Sequence, residues 1–141
     1  MKIYVASSWR NLLQPGIVVA LRRCGHDVYD FRNPAPGNHG FRWSDIDPDW
    51  QAWDAATYRL SLNHPIAVAG YKLDITALRE CEAVVCVLPC GRSASWEFGY
   101  AMGMGKIGYV VQFEPQEPEL MFSEATILTN MSELFDHFGE P

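Results

Sequence analysis

Six consecutive apolar residues, Ala83-Val84-Val85-Cys86-Val87-Leu88, constrain this chain more than any other feature. A short valine-rich run without a charge suits a strand buried on both faces, the usual state of a strand inside a parallel sheet. Pro89-Cys90-Gly91-Arg92-Ser93 follows as a turn, and the residues from about Ala94 to Met104 read as a helix. A strand that turns directly into a helix is half of a βαβ unit.

The rest of the chain repeats this alternation. Ile3 to Ala6 is a short β-type run. Asn11 to Cys24 carries helical apolar spacing, with Pro15 near its front and Gly25 as its stop. His26 to Phe31 reads as a second strand. Residues 33 to 47 form a loop long enough for a lid. Helices are expected from Pro48 to Leu62 and from about Pro65 to Glu82. Lys106 to Phe113 and Thr126 to Leu128 complete the strands, and Ser132 to Phe138 is the closing helix. The expectation is one three-layer α/β domain spanning residues 1–141. Its five-stranded parallel sheet should have the flavodoxin/Rossmann-like order 2-1-3-4-5. In that order ligands bind at the carboxyl ends of strands 1 and 3, where the sheet reverses direction. The loops there are Ser7-Ser8-Trp9 and Leu88 to Ser93.

Charge narrows the partners. The 141 residues hold 11 Lys plus Arg against 17 Asp plus Glu, a net charge of -6. A nucleic-acid polymer or an anionic membrane needs clustered basic residues, so neither is the expected partner. No apolar run reaches the roughly 20 residues of a membrane span. The cysteines at 24, 81, 86 and 90 lack CxxC spacing and the four histidines are scattered, so neither a zinc site nor a cofactor is expected. Free thiols suit a cytoplasmic protein.

The chemistry concentrates at the turn before the 94–104 helix. A helix N-terminus presents unpaired N–H groups and partial positive charge. Gly91, Arg92, Ser93 and Ser95 would hold a phosphate there, or merely cap an ordinary helix. Glu97 lies in the first turn or so, where the dipole favours its ionised form. It reads either as a solvent-facing glutamate or as a nucleophile in an apolar cleft. Asp74 borders the stripe Leu73, Ala77, Leu78 and Cys81; it reads either as an exposed residue or helix-end partner, or as a carboxyl raised in pKa that acts as an acid. Tyr4 is either core packing or a hydroxyl that reaches the site. The aromatic residues Trp9, Phe41, Trp43, Trp50 and Trp53 form core or stack on a flat ring.

Through Ile3-Tyr4-Val5-Ala6-Ser7-Ser8-Trp9, Asp74-Ile75-Thr76-Ala77-Leu78 and Val84 to Lys106, the chain resembles the nucleoside 2-deoxyribosyltransferase family. The resemblance implies that Glu97 attacks the anomeric carbon to form a sugar ester, that Asp74 helps protonate the base, and that Tyr4 orients Glu97. Ser7, Ser8 and Trp9 would line the substrate. The Gly91-Arg92 step departs from the transferases, which carry an acidic residue there. It is more similar to the related nucleotide N-glycosidases, which accept 5′-monophosphates. The ending Phe138-Gly139-Glu140-Pro141 does not match the family tail that reaches a neighbouring subunit. A weaker resemblance, through Ser93-Ala94-Ser95-Trp96-Glu97, is to TIR domains that cleave NAD. The expected partner is therefore a nucleoside or nucleotide, with hydrolysis, transfer, NAD cleavage and silent nucleotide binding as the readings. The aromatic-rich 48–62 segment suits a homo-oligomer, a dimer or larger.

Overall fold

The computed structural model describes residues 1–141. Five strands, β1 (Lys2–Ala6), β2 (Asp27–Asp30), β3 (Ala83–Val87), β4 (Ile107–Val111) and β5 (Thr126–Leu128), form one parallel sheet in the order β2-β1-β3-β4-β5. The helices are α1 (Gln14–Arg23), α2 (Ala55–Ser61), α3 (Pro65–Glu80), α4 (Arg92–Gly103) and α5 (Met131–Phe138). The fold class and strand order are those expected from the sequence.

All five residues of β3 are buried. Their alternate side chains feed two cores, because successive Cβ atoms point to opposite faces. Ala83, Val85 and Val87 join Ile3, Val5, Ile17, Leu21 and Leu134 under α1 and α5. Val84 and Cys86 join Tyr4, Ala6, Leu78, Ala94 and Phe98 under α3 and α4. Gly108 on β4 lets α4 sit close to the sheet: a Cβ there would run into the side chains of Met102 and Phe98.

Helix starts follow local chemistry. Asn11 Oδ1 accepts from the N–H groups of Leu13 and Gln14 at 2.8 and 3.0 Å, so α1 begins with its first donors satisfied. Pro65 opens α3 behind His64, whose Nδ1 accepts from the Ile66 N–H. Two boundaries differ from expectation. The 48–62 segment is not one helix. Asp47 accepts from the Trp53 indole N–H at 2.7 Å and from the Asp49 N–H, which folds residues 50–52 into a 3-10 turn. Asp54 then caps the short α2 through the Thr57 N–H. The 94–104 helix starts two residues early, at Arg92, and this places Glu97 in its second turn.

The segment between β2 and α2 folds down onto α3. Phe41 rests on Gly70, where a Cβ would meet the ring carbons at 3.0–3.2 Å. Trp43 packs edge-on against Phe41, Trp53 and Tyr58. No helix is long and apolar enough to cross a membrane.

Candidate active site

At the carboxyl edge, β1 and β2 pair in register so that Tyr4 lies opposite Tyr29, and the two rings stack with centroids 5.1 Å apart. Both project toward α3 and α4, which carry Asp74 and Glu97. The Tyr29 hydroxyl donates to Asp74 Oδ1 at 2.6 Å. Tyr4 is wholly buried, and its hydroxyl lacks a partner of full hydrogen-bond geometry. It nevertheless lies near enough to Glu97 to favour the ionised carboxylate.

Four polar side chains therefore meet in a poorly hydrated place. Burial raises Asp74 above the usual carboxylate range, and the Tyr29 hydrogen bond opposes that rise. Burial, aided by the charge on Asp74, pushes Glu97 up to about 8, with Tyr4 pulling the other way. Both tyrosine hydroxyls are shifted upward, chiefly by burial, and stay neutral donors. The sequence reading has the helix dipole favouring ionised Glu97; burial works against that form. The dipole acts within the first turn of a helix, Glu97 is in the second, and desolvation dominates there. The charge on Asp74 thus favours the protonated form of Glu97, so Glu97 does not titrate independently of Asp74.

Asp74 also walls a cavity of about 280 Å³ formed by Phe31, Phe41, Ile66, Gly70 and Leu73, among others. Of the five aromatic residues considered for stacking, only Phe41 lines it. Trp9 is engaged elsewhere. Its ring lies under the Arg42 guanidinium, 4.4 Å from the centroid, and edge-on to Phe31. A larger groove of about 470 Å³ runs along the outer edge of β2 and includes neither Asp74 nor Glu97. Its size carries less weight than the position of the carboxyls.

The remaining predicted residues divide into two groups. Ser7 Oγ donates to the Val87 carbonyl at 2.8 Å, and Ser8 Oγ accepts from the Arg10 N–H. Both hydroxyls are occupied in shaping the loop. Gly91, Arg92 and Ser93 are exposed at the start of α4, where no side chain caps the first N–H groups. Ser95 Oγ instead donates back to the Gly91 carbonyl at 3.2 Å and lies 3.6 Å from Cys90 Sγ.

Two contributors went unrecognised in the sequence. Tyr29 read only as a strand former. Its signal was its place opposite Tyr4 in a two-residue period. Asn11 joins the two edge loops, with its amide donating to the carbonyls of Val87 and Pro89 at 3.2 and 3.0 Å. Nothing short of the fold shows that reach.

The fold is a Rossmann-like α/β domain in which Asp74, Glu97, Tyr4 and Tyr29 cluster near the topological switch point. Among solved structures, the chain is similar to a 2-deoxyribosyltransferase from the psychrotolerant bacterium Bacillus psychrosaccharolyticus, described as a biocatalyst for nucleoside synthesis. The two share 17% identity and a TM-score of 0.61, over 95% of this chain and 90% of that one. The likeness is one of fold. No family model and no curated protein matches the sequence.

Proposed function

We propose that this chain cleaves or transfers the N-glycosidic bond of a nucleoside or its 5′-monophosphate. The observation that carries the reading is that Asp74 and Glu97, each beside a tyrosine hydroxyl, lie near enough for the charge of Asp74 to act on Glu97, and that Asp74 also lines an apolar cavity. A flat base fits that aromatic and apolar cavity with its ring nitrogens toward Asp74. The sugar then lies between the cavity and α4, and Glu97 faces its anomeric carbon.

Glycosidic cleavage passes through an oxocarbenium-like state, and retention needs a carboxylate on one face and an acid at the leaving group. With a single proton between them, the two carboxyls would meet both needs in the form with Asp74 protonated and Glu97 ionised. Glu97 then bonds the anomeric carbon as the carbon–nitrogen bond breaks, and the Asp74 proton passes to the departing base. Tyr4 steadies the ionised Glu97. Water or a second base next takes the sugar from Glu97.

Arg92 and the free N–H groups of α4 support a phosphate at the far end of the sugar. Five helical steps lead from Arg92 to Glu97, a rise of about 7.5 Å along the helix axis. That is comparable to the span of a sugar 5-phosphate. Exposed Tyr58, Leu60, Val68, Tyr71 and Trp96 on α2, α3 and α4 support assembly into a homo-oligomer, which sedimentation would measure.

The deciding experiment incubates the protein with nucleosides and their monophosphates, with and without a free acceptor base, and separates the products. Base release that disappears in Glu97→Ala is expected. Binding without turnover, or nicotinamide release from NAD alone, would replace this reading.

A further inference from the structure

The proposed chemistry leaves one pair of reactive side chains unused. Cys86, the fourth residue of β3, is fully buried and faces α4. Cys90 is half-buried in the turn before α4. The strand's end and the turn bring the two sulfurs to 3.7 Å. The Ser95 hydroxyl lies on the other side of Cys90, 3.6 Å away. No other pair of the four cysteines has a sulfur–sulfur contact of this kind.

We propose that Cys86 and Cys90 form a dithiol oxidised reversibly by hydroperoxides, with Cys90 as the attacking sulfur and Cys86 as the resolving one. The assignment follows from access: Cys90 meets solvent and Cys86 does not. The Cys90 thiolate attacks one peroxide oxygen. A sulfur–oxygen bond forms, the oxygen–oxygen bond breaks, and water or an alcohol leaves after taking up a proton. The Cys86 thiol then attacks the Cys90 sulfur. A sulfur–sulfur bond forms, the sulfur–oxygen bond breaks, and a second water departs. Two thiols lose two electrons and the hydroperoxide gains them.

The surroundings support this direction of attack. The Cys86 thiol, 3.7 Å away, stabilises the Cys90 thiolate and lowers the Cys90 pKa, while Cys86 itself is raised. A thiolate stabilised near ambient pH, next to a second thiol, is the arrangement of redox-responsive cysteines. The pair also bears on the acidic cleft, because charge on Cys90 raises Glu97. Bridging removes that charge and draws the turn before α4 toward β3.

The test treats the full chain with hydrogen peroxide, blocks remaining thiols under denaturing conditions and maps the peptides by mass. A Cys86–Cys90 link is expected, reversed by dithiothreitol, with Cys24 and Cys81 recovered as blocked thiols. Cys86→Ala should trap Cys90 as a sulfenic acid that dimedone captures. If that variant misfolds, alkylation of the unmodified protein decides instead: Cys90 should react about tenfold faster than the half-buried Cys24 near neutral pH. Equal reactivity at Cys24 and Cys90, or links scattered among the four cysteines, would overturn the proposal. None of these readouts depends on glycosidic activity, so the dithiol and the proposed enzyme can fail separately.

Discussion

Tyr29 on the edge strand and Asp74 on the overlying helix are joined by a hydrogen bond of 2.6 Å, and Tyr29 stacks in turn on Tyr4, which faces Glu97. Each carboxyl thus has its own hydroxyl, and the two hydroxyls are held parallel by one ring stack. That coupling ties the protonation of the site to the pairing of two strands.

Tyr29→Phe keeps the stack and removes the hydrogen bond. Asp74 then loses the one interaction that lowers its pKa. The variant should lose about 1.5–3 kcal/mol of stability where Asp74 is ionised, the usual cost of a hydrogen bond to a charged group. With Asp74 more readily protonated, the alkaline fall in kcat/KM should move to higher pH. Chemical denaturation with paired kinetics checks this; unchanged stability at neutral pH would show the bond to be unimportant.

The singly protonated pair sets the pH dependence of the proposed reaction. Above about 8 the second proton leaves, no acid remains for the base, and kcat/KM should fall. Asp74→Asn removes the charge that raises Glu97. The pKa governing Glu97 should therefore move down, alongside a large loss of activity on nucleosides with unactivated bases. A pH–rate profile that stays level through pH 9 contradicts this account.

Stability should respond to the same proton. Glu97 has a folded-state pKa of about 8 against 4.5 as its ordinary value. Between those values the folded protein binds more protons than the unfolded chain, so stability declines as pH rises through this window. Glu97→Gln has no proton to lose. Its stability curve should be flatter and should exceed that of the parent by roughly 2–4 kcal/mol at pH 9. Parallel curves from pH 5 to 9 would mean that Glu97 is not desolvated.

Arg92→Ala tests the proposed phosphate end. Arg92 is exposed and belongs to no ion pair, so its removal should leave the fold intact. KM for 5′-monophosphates should rise about tenfold or more while that for nucleosides holds, since the lost interaction is charge-assisted. Equal effects on both substrate sets would place phosphate elsewhere.

The frame of this site was readable because it rests on short-range patterns. The Ala83–Val87 run, the glycine and proline stops and the alternation of periods were enough for the sheet order. Asp74, Glu97 and Tyr4 could be nominated because topology puts their elements at one edge. Other features depended on distance in the fold. The charge state of Glu97 is set first by burial and then by Asp74 and Tyr4, each more than twenty residues away, none of which a local dipole argument includes. The break within residues 48–62 depends on Asp47 reaching the Trp53 indole, a bond that helical periodicity hides. Trp9 reads as a free aromatic until Arg42 and the loop at Gly40 are seen against it. A Cβ on Gly40, which sits at φ +89°, would meet the Phe31 carbonyl at 2.5 Å and the Trp9 ring at 2.7 Å.

The partnering of Tyr4 with Tyr29 has a consequence for how this chain can go wrong. Side chains alternate faces along a strand, so slipping β2 by a single residue against β1 would turn Tyr29 to the α1 side. Asp74 would lose its donor, and the stack that positions Tyr4 would vanish with it. A misregistered molecule is therefore silent, and has no route to a merely altered preference.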